Sequence, residues 1–204
     1  MEIQFYGANC MRLSTKKAAI VIDDLTATVA KNGDIALFTG QHTSPKADVK
    51  IVIDQPGEYE VSDASIQGIA ARGHMGEADD QSATMFKVIG EDVRVAVLGH
   101  VYPELSDEQL EALGTIDVLI IPVGGSGYTL DAIGALKLIK KIEPKIIIPT
   151  HYADKAVKYE VPQASLEDAL KELSMEPKET VPKLKLKASE LLGESNQLII
   201  LERQ

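Results

Sequence analysis

Two continuous apolar segments in the second half of the chain constrain the fold most. The segments "DVLIIPV" (117–123) and "KIIIPT" (145–150) are separated by "TLDAIGALKLIKKI" (129–142), whose apolar residues recur at helical spacing. A strand that is apolar at consecutive positions is covered on both faces, and two strands joined through a helix run parallel. The sequence therefore predicts a β-α-β unit inside a layered α/β domain.

The first half of the chain favours strands over helices. Short β-type runs occupy 2–6, 18–23, 34–39, 50–54, 65–72, 83–89 and 93–99. Turn residues separate these runs, which indicates a mostly antiparallel arrangement. The strands are expected to form sheets that pack face to face.

Helix-capping residues mark two more helices in the second half. Ser106 and Gln109 have the spacing of a capping box before "DEQLEAL", and Gly114 is placed to end that helix. Ser165 is the expected N-cap of a helix over 165–173, and closing strands are predicted at 183–187 and 197–202. With 204 residues and 45% hydrophobic side chains, the chain is expected to form a single domain, residues 1–204, with its helices outside the sheets.

Charge and composition restrict the partners. The chain carries 31 acidic and 21 basic side chains, a net charge of -10, which disfavours nucleic acid. No apolar run approaches the ~18 residues of a membrane span, so no membrane partner is expected. The single Cys10 excludes an internal disulfide, and the first residues lack the basic start of a signal peptide. We expect a cytoplasmic protein whose partner is a small-molecule substrate or ligand, and the oligomeric state stays open.

Each of the four histidines follows a predicted strand. They are His42, His74, His100 and His151, after the runs 34–39, 65–72, 93–99 and 145–150. If these strands end at one edge, the imidazoles converge, and three or four imidazoles suffice to bind zinc, iron or manganese. The alternative is four separate turn histidines bonded to the backbone, and the residues alone leave both interpretations open.

A glycine-rich loop joins the first buried strand to the following helix. Its residues Gly124, Gly125, Ser126 and Gly127 are placed where the backbone can approach a ligand, so the loop is a candidate pocket wall. It lacks the register of a dinucleotide or phosphate loop, and a tight turn before a helix is the alternative.

Cys10 and an aspartate pair are weaker candidates. Cys10 has no neighbouring base, so a small buried side chain is expected rather than a nucleophile. Asp23 and Asp24 either support a site from behind or are simply solvated.

Three longer motifs carry a family resemblance. With "QPGEYEV" (55–61), "LSDEQLEALGTIDVLIIPVGGSGYTLDA" (105–132) and "KIEPKIIIPTHY" (141–152), the chain resembles the metallo-β-lactamase superfamily. The resemblance is strongest to small bacterial Zn-dependent hydrolases related to ascorbate-phosphate lactonases. It implies an αββα sandwich of mixed sheets with outer helices, and a metal site at one edge built from loops after strands.

The first metal motif departs from the family pattern. The family motif Thr-His-x-His-x-Asp-His aligns with "TGQHTSP" (39–45). His42 keeps one ligand position, whereas Gly40, Ser44 and Pro45 replace the other three.

The later ligand positions are kept or changed to histidine. By the resemblance, His74 and His151 match family ligands, and His100 stands where the family has a bridging aspartate. A neutral imidazole nitrogen cannot bridge two ions, so the resemblance implies that the dinuclear centre is lost.

Two functions agree with this degenerate motif. In the first, His42, His74, His100 and His151 hold one zinc, iron or manganese ion, and a metal-bound water hydrolyses an ester, lactone or phosphoester bond. In the alternative, the protein is a catalytically inactive pseudoenzyme without metal that binds a ligand or has a structural role.

Overall fold

The computed structural model of the protein describes residues 1–40, 48–193 and 195–204. These residues form fourteen strands, three α-helices and one short 3-10 helix over Ala188–Leu191. Within the described ranges, no helix combines the length and the apolar character needed to cross a bilayer.

The first sheet has six strands over the described residues. They are β1 (Glu2–Gly7), β2 (Cys10–Ser14), β3 (Ala19–Ile22), β4 (Ile35–Leu37), β5 (Ile51–Ile53) and β13 (Leu184–Lys185). The spatial order is β13-β1-β2-β3-β4-β5. The pairs β1–β2 and β2–β3 are antiparallel as expected, whereas β3, β4 and β5 run parallel.

The second sheet has eight strands over the described residues. They are β6 (Gly57–Val61), β7 (Ala64–Ala71), β8 (Ala83–Gly90), β9 (Val93–Val97), β10 (Val118–Pro122), β11 (Ile146–Thr150), β12 (Pro177–Val181) and β14 (Gln197–Leu201). The order is β12-β14-β11-β10-β9-β8-β7-β6. The pairs from β6 to β9 are antiparallel, and β9, β10, β11, β14 and β12 run parallel. The predicted β-α-β unit of parallel strands is confirmed.

The central strand β10 shows how the layers are built. Its five residues are all buried, and successive side chains of a strand point to opposite faces. Val118 and Ile120 join the core between the two sheets, and Leu119 and Ile121 join a second core beneath the helices. The helices are α1 (Asp107–Leu113), α2 (Ala132–Ile142) and α3 (Leu166–Leu173), and their buried apolar residues belong to this second core. The predicted class, two mixed sheets face to face with helices outside, is confirmed.

The helix ends follow their capping residues. Ser106 and Gln109 form the predicted capping box of α1, and Gly114 ends the helix with a φ of 56°. Ser165 caps α3 as expected. The start of α2 differs from the sequence prediction, because the side chain of Asp131 accepts the N–H of Gly134 at 2.7 Å and the helix begins after Asp131 rather than at Thr129.

Strand directions bring three loops to the same edge of the eight-stranded sheet. Strands β7 and β9 are both antiparallel to β8, so they share a direction, and β9 and β11 are both parallel to β10. The loops after β7, β9 and β11 contain His74, His100 and His151. The fold therefore places these three histidines at one edge.

Candidate functional site

The imidazoles of His100 and His151 pack edge to face, with ring centroids 4.6 Å apart. His74 adjoins them, because its backbone N–H donates to the carbonyl of His100 at 2.7 Å. The rings of His100 and His151 therefore meet, whereas the contact between His74 and His100 is made by the backbone, so the convergence of all the imidazoles stays a prediction. His42 falls in the segment 41–47 and lies outside the described residues.

His151 is held in one tautomer by Gln163. Nδ1 of His151 lies 3.1 Å from Oε1 of Gln163, whose own amide nitrogen donates to the carbonyl of Val161 at 3.0 Å. This second bond turns the amide oxygen toward the ring, so Nδ1 carries the proton and Nε2 keeps its lone pair. Burial lowers the pKa of His151, only partly offset by hydrogen bonding to Gln163, which favours the neutral ring.

His74 has the same arrangement with a backbone partner. Its Nδ1 lies 3.2 Å from the carbonyl oxygen of Val101, which can only accept a hydrogen bond. Neutral His74 therefore also keeps its lone pair on Nε2. A carbonyl or amide oxygen behind the ring is the support that metal-binding histidines commonly have.

His100 differs from the other two. Its Nε2 lies 3.1 Å from the amide nitrogen of Asn9, and the amide oxygen of Asn9 accepts a hydrogen bond from the hydroxyl of Thr150 at 2.9 Å. With this amide orientation, Asn9 donates to His100 and occupies the lone pair on Nε2. Because Asn9 lies in the turn between β1 and β2, this bond also connects the two sheets.

Asp23 secures the segment that leads to the predicted first metal motif. Its carboxylate accepts the backbone N–H of Thr39 at 2.8 Å and the hydroxyl of the same residue at 2.6 Å. The carbonyl of Thr39 in turn accepts the N–H of Thr84, at 2.8 Å, from the other sheet. Thr39 is the first residue of the motif and is followed by Gly40, so the start of the motif is fixed from both sheets.

Asp24 is also enclosed. It accepts the backbone N–H groups of Thr28, Val29 and Ala30. Asp23 and Asp24 are 7% and 3% exposed, so the interpretation of a solvated pair is wrong.

The histidines that the structure describes could supply some of the ligands of a mononuclear metal site. Among residues 1–40, 48–193 and 195–204, no group of three or more His, Cys, Asp or Glu side chains could hold a metal ion. His74 and His151 each keep an unprotonated nitrogen, whereas the Nε2 of His100 is engaged by Asn9. The four-histidine ligand set needs His42, so it stays a prediction.

Two cavities adjoin the histidines. The larger, about 430 Å³, lies against the β1–β2 turn and the segments 23–29 and 156–163, and His100 and His151 contribute to its wall. The smaller, about 350 Å³, is lined by Gly40 and His74 among others. His100 and Tyr128 line both cavities. A ligand of small-molecule size in the larger cavity would therefore contact the histidines directly.

The glycine-rich loop positions His151 from behind. A Cβ on Gly124 would lie 1.9 Å from the carbonyl oxygen of His151 and 2.3 Å from Oε1 of Gln163. The loop can approach this closely only because residue 124 has no side chain. Tyr128, directly after Gly127, lines both cavities, and the pocket-lining role of Gly124, Gly125, Ser126 and Gly127 stays a prediction.

The thiol of Cys10 is unsuited to nucleophilic attack. Burial, and then the charges of Asp24 and Asp23, raise its pKa well above the usual range. The thiol is therefore protonated at neutral pH, which agrees with the expectation that Cys10 is not a nucleophile, but the residue is only partly buried rather than buried as expected.

Sequence reasoning missed the side chains that orient the histidines. Gln163 lies twelve residues after His151 in an irregular segment, with no pattern that marks it. Asn9 had one usable signal, its position in the "GANC" turn at a strand end. Tyr128 follows the glycine loop directly and could have been included with it.

Comparison with known proteins agrees with this fold. The sequence model of a β-lactamase superfamily domain matches residues 2–151. A Thermotoga maritima protein named as a Zn-dependent hydrolase of the metallo-β-lactamase superfamily is 26% identical, with a TM-score of 0.77 over 100% of this chain and 99% of that one. A protein of Parabacteroides distasonis named as a metal-dependent hydrolase is 19% identical, with a TM-score of 0.67 over 99% and 93%, and shows the fold alone.

A shorter match concerns a curated protein. A metal-dependent hydrolase of Thermoplasma acidophilum is 42% identical over 48 residues, which are 22% of this chain and 21% of that protein. The match thus spans about a fifth of either sequence.

Proposed function

Because this chain belongs to the metallo-β-lactamase superfamily, we propose that it is a hydrolase dependent on a single metal ion bound at the edge of the eight-stranded sheet. One observation carries the proposal. His74 and His151 lie at the same sheet edge, and each donates from Nδ1 to a fixed oxygen, which leaves Nε2 as the donor atom for a metal. Relatives named as metal-dependent hydrolases support the same activity.

The proposed ligands are His42, His74 and His151. His100 can add its Nε2 only if the hydrogen bond from Asn9 is given up. A zinc, iron or manganese ion held there supplies a Lewis acid and lowers the pKa of a coordinated water. The chain's own contribution is to fix the imidazole tautomers through Gln163 and Val101, and to bind substrate in the larger cavity.

The bond to be cleaved is an ester, lactone or phosphoester. The larger cavity, about 430 Å³, has the size of a site for a small organic molecule. Tyr128 lines it, and its pKa is raised by burial and then by Glu160, so the phenol remains a hydrogen-bond donor at neutral pH. It is placed to contact a bound substrate.

The second candidate is a non-catalytic ligand-binding protein. The hydrogen bond between Asn9 and His100 favours it, because that bond occupies a nitrogen at the position where the family has a bridging ligand. In this case the cavity binds a small molecule, and no metal is needed.

Metal content decides between the two. We expect protein purified without a metal-binding tag to contain about one equivalent of zinc, iron or manganese. The double variant His42→Ala/His151→Ala should lose the ion, and Gln81→Ala, an exposed control, should keep it. Metal-free protein whose melting temperature responds to neither chelator nor added zinc would contradict the hydrolase proposal.

A further inference from the structure

The charged side chains of the larger cavity are mainly acidic. Asp23, Asp24 and Glu160 line it, and among the described lining residues Lys158 is the only lysine or arginine. With all four ionised, the lining carries a net charge of about -2. No arginine, the usual residue for bidentate phosphate recognition, is among these lining residues.

The acidic charges act on the cavity itself. Asp24 and Asp23 contribute to the raised pKa of Cys10, another lining residue, after burial as the larger cause. Both carboxylates accept hydrogen bonds from N–H and O–H donors, as the ionised form does. Glu160 likewise contributes, after burial, to the raised pKa of Tyr128, which lines both cavities.

One hydroxyl that could bind a phosphate is already engaged. The hydroxyl of Ser126, in the glycine-rich loop, donates to the carbonyl of Pro162. The loop carbonyl of Gly124 accepts the N–H of Ala164 at 2.8 Å, which holds the loop against the segment behind the cavity. Among the described residues that line the cavity, the exposed Lys158 is thus the one lysine or arginine, against three carboxylate side chains.

Aromatic and aliphatic side chains complete the wall. Tyr6, Tyr128 and Tyr159 line the cavity together with Leu25 and Val29. Leu25 is 51% exposed at this position, so its side chain is accessible to a ligand. Such a wall suits a ligand with an aromatic or aliphatic body, and tyrosine faces also accept a cationic group.

We propose that the larger cavity selects neutral or cationic substrates with an apolar body and excludes phosphorylated ones. This inference rests on the proposed hydrolase function and narrows it to carboxylic esters and lactones. The electrostatic cost of bringing a phosphate dianion into a cavity lined by Asp23, Asp24 and Glu160 decides the choice.

Binding of three probes with the same benzyl body tests the proposal without catalysis. The probes are benzyltrimethylammonium, benzyl alcohol and benzylphosphonate, titrated by NMR into chelator-treated and zinc-supplemented protein. We expect benzylphosphonate to bind at least tenfold more weakly than benzyl alcohol to the chelator-treated protein, and the cation to bind at least as tightly as the alcohol. Phosphonate binding equal to that of the alcohol, or no binding of any probe, overturns the proposal.

A charge-reversal variant isolates the cavity wall from any metal. In Glu160→Lys the preference for benzyl alcohol over benzylphosphonate, measured as the ratio of their affinities, should fall about three- to tenfold, because an ammonium group replaces one carboxylate. Glu172→Lys, an equal charge change at an exposed position of α3, should leave the ratio unchanged. Because both variants carry the same metal complement, the difference reports the lining charge. An unchanged ratio in Glu160→Lys overturns the proposal.

Hydrolysis separates this inference from the proposed function. Turnover of 4-nitrophenyl acetate, lost in His151→Ala, with negligible turnover of 4-nitrophenyl phosphate supports both. Comparable kcat/KM for the two substrates supports the hydrolase and overturns the charge selection. If the probes bind in the expected order but the protein contains no metal and hydrolyses neither substrate, only the hydrolase proposal is overturned.

Discussion

The amide nitrogen of Asn9 lies 3.1 Å from Nε2 of His100, across the junction between the two sheets. The same amide accepts the hydroxyl of Thr150 at 2.9 Å, so one side chain holds a candidate ligand and the end of a buried strand. Because Asn9 occupies the lone pair of His100, it competes with a metal ion for that nitrogen.

Removing this competition should strengthen metal binding. We expect Asn9→Ala to lose about 1–2 kcal/mol of stability without metal, since two hydrogen bonds are broken. Added zinc should then stabilise the variant by about 1 kcal/mol more than it stabilises the parent protein, because His100 becomes available. Thr150→Val removes only the hydrogen bond from Thr150 to Asn9 and leaves the bond from Asn9 to His100 in place. Zinc should therefore stabilise this variant no more than it stabilises the parent protein. Urea unfolding with and without zinc measures both, and equal zinc effects in the two variants would count against competition by Asn9.

The hydrogen bond between Gln163 and His151 should support metal affinity. In Gln163→Ala the ring of His151 loses the partner that fixes its tautomer, and we expect zinc affinity to fall about 10- to 100-fold. Competition with a chromophoric chelator gives the dissociation constant. Gln81→Ala, at an exposed site, serves as the control, and an unchanged affinity in Gln163→Ala shows that the ring is oriented by other contacts.

Glycine at position 124 should be required for the site. The Cβ of Gly124→Ala would lie 1.9 Å from the carbonyl oxygen of His151, so the strand end must move, at a cost of about 3 kcal/mol. Gly127→Ala is the matched control, because no atom lies within 4 Å of its Cβ and only the φ of 71° is unfavourable, at about 1 kcal/mol. Thermal and urea unfolding measure the difference, and similar losses in the two variants would contradict the close contact.

An ion cluster at the start of β10 should govern acid stability. Asp117, 2% exposed, pairs with Arg94 at 2.8 Å and with Lys145 at 2.7 Å. Burial alone would raise the pKa of Asp117, but hydrogen bonds from Arg94 and Lys145 lower it to about 2. The ordinary value is 3.8, so the carboxylate contributes about 2 kcal/mol above pH 4, and this contribution is lost as the pH falls from about 4 to 2.

The test compares unfolding free energies at pH 7 and pH 2.5. Asp117→Asn should be destabilised at pH 7 by about 3 kcal/mol, since two cations lose their partner, and should lose less stability than the parent on acidification. Asp79→Asn, at an exposed position, should follow the parent curve. If the unfolding free energy of Asp117→Asn falls on acidification as much as that of the parent protein, the acid sensitivity arises from another group.

The Cys10 thiol should resist alkylation at neutral pH. Burial and the neighbouring carboxylates raise its pKa, so little thiolate is present to react. Mass spectrometry after iodoacetamide treatment at pH 7.5 should show unmodified protein, and one adduct in 6 M guanidinium chloride. Rapid modification of the folded protein would mean that the thiolate is accessible.

Segments with strong periodicity or complete burial were predictable from the sequence. Strands β10 and β11 lie within one residue of their predicted bounds because each is an uninterrupted apolar run. The capping box of α1 was predictable because Ser106 and Gln109 act locally. Their positions depend on short-range chemistry that no distant contact overrides.

Strands with exposed polar residues were not predictable. In β12, Pro177–Val181, the first four residues are exposed, so no alternation of apolar residues marks the strand. In β6, Gly57–Val61, Glu58 and Glu60 are exposed and the other three residues are only partly buried. Their pairing depends on neighbours in the sheet, which local sequence does not encode.

For the site, strand-end positions predicted that His74, His100 and His151 lie at one edge of a sheet. The result follows from topology, since β7, β9 and β11 share a direction. The partners of the imidazoles were not predictable. Asn9 belongs to the opposite sheet and Gln163 to an irregular segment, so only the folded arrangement brings them to the rings.

Thr39 accepts the N–H of Thr84 from the opposite sheet while it donates twice to Asp23, and Asn9 makes a second connection between the sheets. The candidate site thus lies at a seam, and its geometry depends on both sheets being in place. Partial unfolding that separates the sheets would dismantle the site before either sheet melts. Amide protons of Thr39 and Thr84 should consequently exchange with deuterium only through opening events large enough to abolish ligand binding, so slow exchange and binding capacity should disappear together along a denaturant series.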